Sequence, residues 1–131
     1  MSTQNYRILV VDDDPDIGIM IKVMLEYKGY SVMVAERADM IDNILRDNSV
    51  DLLIMDMLLS GANGIDVCEE LKKDPRTTKL PVIMISAHPN ARQISLDAGA
   101  DDFIAKPFDM HDMFSKIGML LEKKPGAGIA S

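Results

Sequence analysis

Cysteine is almost absent from this sequence of 131 residues, which has a single one, Cys68. One cysteine excludes an internal disulfide framework, and a structural zinc site would need a cysteine cluster that the sequence does not have. The sequence also has no apolar run of signal-peptide length near its start and no stretch of about eighteen apolar residues that could span a bilayer. We therefore expect a protein of the reducing cytoplasm that does not enter a membrane.

Positive charge is scarce as well, with 14 basic residues against 21 acidic ones and a formal net charge of −7. This surplus of negative charge repels the phosphates of nucleic acids and offers no basic patch to an anionic membrane. We therefore expect no direct nucleic-acid binding and no membrane partner. The hydrophobic fraction of 47% is typical of globular proteins, and the length is that of one domain.

Short aliphatic segments alternate with helical patterns along the chain. The strand-like segments are 7–11, 31–35, 51–55, 81–85 and 102–105. The helical patterns are 15–28, 38–46, 65–73, 91–97 and 110–123. This alternation predicts right-handed βαβ units, and hence an α/β fold in which a (βα)5 doubly wound sheet of five parallel strands is covered by helices on both faces. The predicted domain spans residues 1–124, and the Pro- and Gly-rich residues 125–131 predict a flexible C-terminal tail.

Polar residues follow four of the five predicted strands. They are Asp12, Asp13 and Asp14 after the first strand, Asp56 after the third, Ser86 after the fourth and Lys106 after the fifth. Open parallel sheets bind ligands beyond the carboxyl ends of their strands, so these side chains should meet in one crevice. Converging carboxylates repel one another unless a cation lies among them, and Mg²⁺ commonly takes one or two carboxylates together with waters. The pattern predicts a Mg²⁺ site.

Asp56 is the best candidate for a nucleophile in this crevice, because it follows the most apolar strand and should stand at the centre of the sheet. Carboxylates can form acyl-phosphate intermediates, and an ionised carboxylate attacks without a general base. Lys106 adds a positive charge and Ser86 a hydroxyl donor. These residue types suit phosphoryl transfer, in which catalysis is mostly positioning and charge neutralisation.

Five motifs in this order resemble the receiver domains of two-component response regulators, including the stand-alone chemotaxis type. The motifs are ILVVDDDP at 8–15, DLLIMD at 51–56 with Gly64 eight residues beyond, PVIMISA at 81–87, AGADDF at 98–103 and KPF at 106–108. The resemblance covers about residues 6 to 122. It implies a flavodoxin-like fold with the strand order 2-1-3-4-5.

The resemblance also implies the chemistry of the site. Asp56 would accept a phosphoryl group from a histidine kinase in a Mg²⁺-dependent reaction, and Ser86 and Lys106 would contact the phosphoryl oxygens. Ser86 and Phe103 would form the conformational switch, and the Lys106–Pro107 peptide bond would be cis. Activity would be limited to self-phosphorylation from a phosphodonor and self-dephosphorylation.

The cofactor implied by the resemblance is Mg²⁺. Its direct ligands would be Asp13, Asp56 and the main-chain carbonyl of Leu58, while Asp12 would act through water. The implied partners are a sensor histidine kinase or phosphotransfer protein and a downstream protein target, and they could include a homodimer formed on phosphorylation.

Two features depart from the usual pattern of the family, and two further residues occupy positions at which its members vary. Ser60 stands where a proline is usual, and the segment from Ser86 to Lys106 is about two residues short. Leu58 and His88 occupy the positions that tune the water that hydrolyses the phospho-aspartate. A leucine cannot hydrogen-bond that water, so we expect slow self-dephosphorylation.

Other interpretations of these residues stay open at this stage. Asp14 is better explained as the N-cap of the first helix, and Phe103 is explained about as well by core filling. An aspartate-nucleophile phosphatase is a rival class, but it would need a second aspartate at the position of Leu58. A flavodoxin-like nucleotide or flavin binder would need a Gly-rich turn after the first strand, where three aspartates stand instead.

Overall fold

Five parallel strands form the central sheet of the protein, whose computed structural model describes residues 6–59 and 61–122. Its strands are β1 (Arg7–Val11), β2 (Ser31–Ala35), β3 (Leu52–Asp56), β6 (Val82–Ser86) and β7 (Asp102–Ala105). A separate antiparallel pair consists of β4 (Leu58–Leu59) and β5 (Ala62–Asn63). The order across the sheet is β2-β1-β3-β6-β7. With the short pair left out of the numbering, this is the predicted order 2-1-3-4-5, and the predicted fold class is confirmed.

Five α-helices connect and cover the strands. They are α1 (Pro15–Tyr27), α2 (Ile41–Asp47), α3 (Gly64–Lys73), α4 (Ala91–Asp97) and α5 (Met110–Glu122). The segment predicted as one helix over 38–46 begins as a 3-10 turn, Ala38–Met40, before α2. None of the helices in the described ranges is long and apolar enough to cross a membrane. The predicted domain limit at residue 124 and the predicted tail at 125–131 lie outside the described residues.

The two faces of the sheet carry separate cores. Alternate residues of β1 point to opposite faces, so that Ile8 and Val10 pack with α1 and α5, whereas Leu9 and Val11 pack with α2, α3 and α4. Every residue of β3 and β6 is buried. A central strand covered on both faces has no room for alternation of polar and apolar residues, which is why these segments are uniformly aliphatic. Because both faces are packed, the strands are held in place, and so is the carboxyl edge of the sheet where the polar residues lie.

Asp14 starts α1 as predicted. Its side-chain oxygen accepts hydrogen bonds from the backbone N–H groups of Asp16 at 3.0 Å and Ile17 at 3.4 Å. Pro15 fills the first helical position, where its missing N–H costs nothing. This cap keeps the chain between β1 and α1 short, so the preceding aspartates are held at the end of β1.

Strands β3 and β6 begin and end one residue later than the sequence pattern predicts. Asp56 pairs with Ile85 and Ser86 with Ala105, so both polar residues close their strands and do not follow them. Parallel pairing with the neighbouring strand carries the ladder past the last apolar residue, which periodicity alone does not indicate. The two side chains are therefore fixed by sheet geometry and not by a loop.

Candidate functional site

Side chains from β3 and from the loops after β1 and β7 meet at the carboxyl edge of the sheet. Lys106 Nζ lies 2.6 Å from Asp56 Oδ2 and 3.5 Å from Asp12 Oδ2. We call these three residues the Lys106 cluster. Asp12 is fully buried and Asp56 is 7% exposed. The convergence that the sequence indicates for Asp12, Asp56 and Lys106 is present.

Asp12 is the most confined acid of the Lys106 cluster. Its Oδ1 accepts the backbone N–H of Asp14 at 2.9 Å, but its buried Oδ2 has no hydrogen-bond partner in the described part of the chain. Lys106 Nζ at 3.5 Å is an ion-pair contact rather than a good hydrogen bond. Burial raises the pKa of Asp12, and the Asp14 N–H and the charge of Lys106 offset only part of that rise. Asp12 Oδ2 is thus able to accept a further hydrogen bond or to interact with a cation.

Lys106 is held in its charged form by the two acids. Burial lowers the pKa of its ammonium, but the hydrogen bond and charge of Asp56, together with the charge of Asp12, outweigh burial and raise that pKa above its ordinary value. The backbone N–H of Lys106 also donates to the carbonyl of Ser86 at 2.9 Å, which ties the loop after β7 to the end of β6. A fixed positive charge therefore faces the Asp56 carboxylate.

Asp13 lies beside Asp12 in the loop after β1, and it is exposed. Asp14, the third acid of the run, caps α1 with its side-chain oxygen. The run of three aspartates therefore divides into a buried member, an exposed member and a helix cap.

Leu58 lies two residues after the end of β3, in the short β4–β5 pair. Its backbone N–H donates to Asp56 Oδ1 at 2.9 Å, so both carboxylate oxygens of Asp56 have a donor. Its side chain is 63% exposed. Gly64 closes this loop: its N–H donates to the Met57 carbonyl at 2.8 Å, and a Cβ at this position would lie 2.5 Å from the Asp56 carbonyl oxygen. Only glycine allows the start of α3 to pack so closely against Asp56.

Ser86 closes β6, and His88 lies on the loop that connects β6 to α4. Ser86 is 3% exposed, and its Oγ accepts the His88 backbone N–H at 3.0 Å. The exposed His88 ring turns to Asn90, whose backbone N–H donates to Nδ1 at 3.1 Å. Hydrophobic periodicity gives no sign of this ring contact, although a His-Pro-Asn sequence before a helix is a turn signal.

Phe103 lies inside the sheet in β7. It is 6% exposed, pairs with Met84 and belongs to the core that α2, α3 and α4 cover. Lys116 Nζ of α5 donates to its backbone carbonyl at 2.8 Å. The Lys106–Pro107 peptide bond is cis, as predicted. Phe103 is thus a core residue on β7, the strand that pairs with β6, whose last residue is Ser86.

The donor set near Asp12 suits a hard cation. In the described ranges no three or more His, Cys, Asp or Glu side chains are grouped so that they could hold a metal ion. Mg²⁺ does not need such a group, because it commonly takes one or two carboxylates and completes its shell with water and other oxygens. The unsatisfied, buried Asp12 Oδ2 is an oxygen that a cation would stabilise. The residues present therefore fit Mg²⁺.

Comparison with known proteins identifies the family of this chain. A family model of the response regulator receiver domain matches residues 8–118. The chain is 34% identical over 119 residues to the DNA-binding dual master transcriptional regulator RpaA of Synechocystis, covering 89% of this chain and 49% of the relative. It is 35% identical over 118 residues to the phosphate regulon transcriptional regulatory protein PhoB of Pseudomonas aeruginosa, covering 88% of this chain and 52% of the relative.

The solved receiver domain of NtrX from Brucella abortus has a similar structure, with a TM-score of 0.81 and 34% identity over 88% of this chain and 98% of that chain. The chain belongs to the response regulator receiver domain family. Phosphoryl acceptance is the general function of this family, which serves two-component systems, and its members generally use Mg²⁺. The chain spans about half the length of the curated relatives it matches.

The predicted set of partners, which excluded nucleic acid, is wrong for these relatives. RpaA is named as a DNA-binding regulator, and PhoB as a transcriptional regulatory protein. The net charge of −7 describes only the 131 residues of this chain. Charge in one region carries no information on what the remaining half of such a protein contacts, which is why the inference failed.

Proposed function

We propose that Asp56 is the residue of this receiver domain that accepts the phosphoryl group. The observation that carries the proposal is the 2.6 Å contact between Lys106 Nζ and Asp56 Oδ2 at a nearly buried sheet edge. A fixed ammonium next to a carboxylate nucleophile can stabilise negative charge as it develops on a transferring phosphoryl group. Little reorganisation is needed, because the charge is in place before the donor arrives.

The proposed step forms one bond and breaks one. An Asp56 carboxylate oxygen attacks phosphorus as the bond between phosphorus and the donor's leaving atom breaks, and the leaving group departs with that electron pair. The Leu58 N–H and Lys106 hold the two carboxylate oxygens, which orients the attack. Ser86 would donate its hydroxyl to a phosphoryl oxygen. Its Oγ accepts the His88 N–H, so the hydroxyl hydrogen can point elsewhere.

The residues proposed to hold Mg²⁺ are Asp13, Asp56 and the main-chain carbonyl of Leu58, with Asp12 acting through water. Neutralisation of phosphoryl charge is the chemistry that the bound ion supplies. Asp12 supports the assignment through its buried Oδ2, and Gly64 supports it by keeping the loop of Leu58 close to Asp56. These residues bind and orient, while Asp56 reacts.

The switch is proposed to run from Ser86 to Phe103, since a phosphoryl group that draws Ser86 towards Asp56 would disturb the end of β6 beside β7. The activity we propose is limited to the chain's own phosphorylation and dephosphorylation. Cytoplasm is the proposed compartment, and the free, buried thiol of Cys68 is suited to a reducing environment.

Incubation with acetyl phosphate and Mg²⁺, followed by mass spectrometry of the intact chain and its peptides, tests the acceptor. We expect one phosphoryl group on Asp56 in the wild type and none in Asp56→Asn. Asp47→Asn is the matched control, because Asp47 is an exposed aspartate in the last turn of α2. Labelling that persists at full level in Asp56→Asn would contradict the proposal.

A further inference from the structure

The main chain of Phe103 is held from outside the sheet by two side chains. Asp102 Oδ1 accepts its N–H at 2.8 Å, and Lys116 Nζ of α5 donates to its carbonyl at 2.8 Å. Lys116 Nζ also lies 3.7 Å from Asp102 Oδ1, so the contacts close a ring around one residue. We call Asp102, Phe103 and Lys116 the Phe103 clasp. It joins α5 to the strand that carries one end of the proposed switch.

The Phe103 clasp is possible because β7 is an edge strand. Strands β3 and β6 have a neighbour on each side, and their main-chain groups are taken up by the sheet. β7 ends the order of strands, so the main-chain groups on its outer side face no further strand. A side chain from a flanking helix can reach such groups, which otherwise need another partner. The edge of the sheet thus offers α5 a direct hydrogen bond to the main chain of β7.

Lys116 makes a different kind of contact from the buried face of α5. The helix packs on the sheet through Met113, Ile117 and Leu121, whose side chains are buried. Apolar packing has no preferred direction, whereas a hydrogen bond fixes both a distance and an angle. Within residues 6–59 and 61–122, the bond from Lys116 is the one hydrogen bond that joins α5 to a strand. A displacement of the Phe103 main chain must move Lys116 or leave a carbonyl without its donor.

Two acids hold the ammonium of Lys116 beside this carbonyl. Asp102 Oδ1 lies 3.7 Å from Nζ, and Asp112 Oδ2, four residues earlier on α5, lies 3.5 Å from it. Both distances are longer than a good hydrogen bond, so the Phe103 carbonyl at 2.8 Å is the short contact of the ammonium. The Lys116 side chain is only 23% exposed, and partial burial strengthens a bond from a charged donor.

We infer that Lys116 is a positioning residue for α5, through which a displacement of the Phe103 main chain reaches the exposed face of the helix. The inference rests on the proposed phosphorylation of Asp56 and on the proposed switch from Ser86 to Phe103. Strands β6 and β7 are paired along this segment, so a change at the end of β6 acts directly on β7. The hydrogen bond from Lys116 carries that change across to α5.

The face of α5 that responds is defined by the neighbours of Lys116 on the helix. Asp112 and Met119 lie four residues before and three residues after it, which places all three on one face. The Asp112 side chain is 51% exposed and Met119 is 54% exposed. A lysine that follows the Phe103 carbonyl shifts an exposed charge and an exposed apolar group together, and so changes the surface that α5 presents.

Four variants separate the Phe103 clasp from other contacts of α5. Lys116→Met removes the donor but keeps a long apolar side chain, and Lys116→Arg restores a donor. Lys28→Met is the matched control, because Lys28 Nζ lies 4.9 Å from the centroid of the Phe114 ring and contacts α5 from the end of α1. Asp112→Asn removes a neighbouring charge but not the bond to the carbonyl. Amide NMR spectra of each chain are recorded before and after addition of acetyl phosphate with Mg²⁺.

In the wild type we expect phosphorylation to shift the amides of residues 86–88 and of residues 112–119. In Lys116→Met the shifts at 112–119 should fall by more than about half, because one contact carries most of the coupling, while the shifts at 86–88 and the phosphorylation rate are unchanged. The other three variants should respond as the wild type does. Shifts at 112–119 that persist in full in Lys116→Met, or that are lost equally in Lys28→Met, would overturn the inference.

Hydrogen exchange of the unphosphorylated chains shows whether α5 stays folded. The amides of residues 117–121 should remain protected in Lys116→Met, because Ile117 and Leu121 are buried in the core. Loss of that protection overturns the inference, since the missing shifts would then report local unfolding. A wild type that takes up no phosphoryl group by mass spectrometry would instead contradict the proposed role of Asp56, and with it the signal that Lys116 is inferred to pass on.

Discussion

Two lysines of this receiver domain are similarly exposed but differ in the carboxylates that they contact. The side chains of Lys72 and Lys106 are 17% and 20% exposed, and each contacts an aspartate. Lys72 Nζ donates to Asp101 Oδ2 at 2.8 Å and to the Leu80 carbonyl at 2.7 Å, with the Thr78 carbonyl at 3.4 Å. Lys72 and Asp101 are called the Lys72 network below. Lys106 faces two buried carboxylates, one of which keeps an oxygen without a hydrogen bond.

The difference lies in how far the polar groups are satisfied. Asp101 Oδ2 also accepts the Val82 N–H at 2.8 Å, so the Lys72 network ties α3, the start of β6 and the turn before β7 together. Buried polar groups that are fully paired stabilise one conformation. The Lys106 cluster holds spare acceptor capacity, which raises the free energy of the unliganded state and leaves room for a cation and a phosphoryl group. Exposure alone does not distinguish the two lysines.

The largest contrast should come from truncating each lysine in turn. Lys106→Ala should slow phosphorylation of Asp56 by about 100-fold, because it removes a preorganised charge from the transition state. Lys72→Ala should leave that rate within about twofold but lower the free energy of unfolding by about 1–3 kcal/mol, since backbone carbonyls and Asp101 lose a donor. Phosphorylation kinetics and urea denaturation of both variants measure the contrast. Equal effects of both substitutions on the rate would remove the distinction between the clusters.

Replacement of Asp101 and of Asp12 by asparagine should change the free energy of unfolding in opposite directions. Asp101→Asn should lower the free energy of unfolding by about 1 kcal/mol, because a charge-assisted hydrogen bond becomes neutral. Burial raises the pKa of Asp12, so the folded state binds this proton more tightly than the unfolded state does. Ionised Asp12 therefore costs stability at neutral pH, and Asp12→Asn should be more stable than the wild type without Mg²⁺.

The gain from Asp12→Asn should shrink as the pH falls through the raised pKa of Asp12, where the wild type takes up the proton and loses its penalty. Urea denaturation in a chelator at neutral and acidic pH checks both signs. An Asp12→Asn variant that is less stable than the wild type at neutral pH would mean that Asp12 is satisfied, as Asp101 is.

The smallest effect should come from Leu58, which lies beside the Lys106 cluster, and it should be on the lifetime of the phosphorylated chain. The exposed, apolar side chain of Leu58 offers no hydrogen bond to a water near Asp56. Leu58→Asn should therefore shorten the lifetime of the phosphorylated chain by roughly two- to tenfold, the effect of about one hydrogen bond. Loss of the phosphoryl group is followed by mass spectrometry, with Met119→Asn on α5 as an exposed apolar control, since Met119 is 54% exposed and Leu58 63%. An unchanged or longer lifetime in Leu58→Asn would contradict the expected slow self-dephosphorylation.

The Lys106 cluster could be predicted from the sequence, whereas the Lys72 network could not. Parallel strands bring their carboxyl ends to one edge, so polar residues at the ends of aliphatic runs identify Asp12, Asp56 and Lys106 without knowledge of side-chain positions. The partners of Lys72 are mostly backbone carbonyls, among them Leu80 eight residues away. Backbone acceptors are present at every residue and leave no signal in composition or spacing.

Features shorter than a helical turn were also missed. The β4–β5 pair has two residues in each strand, too few for any alternation to be visible. The contact between His88 and Asn90 depends on one rotamer of one ring. Gly64 belongs to one of the motifs, but the sequence does not show why a glycine is needed there. The reason is steric, because a Cβ at this position would lie 2.5 Å from the Asp56 carbonyl oxygen.

Backbone amide NMR during a Mg²⁺ titration, followed by addition of acetyl phosphate, compares both lysine clusters in one sample. Mg²⁺ should shift the amides of residues 12–14 and 56–58, and the phosphodonor should then shift those of residues 86–88. The amides of Leu80 and Val82 and of residues 100–102, around the Lys72 network, should stay in place throughout. Shifts that centre on the Lys72 network, or no response at Asp56, would contradict the assignment of the Lys106 cluster as the site where this domain is phosphorylated.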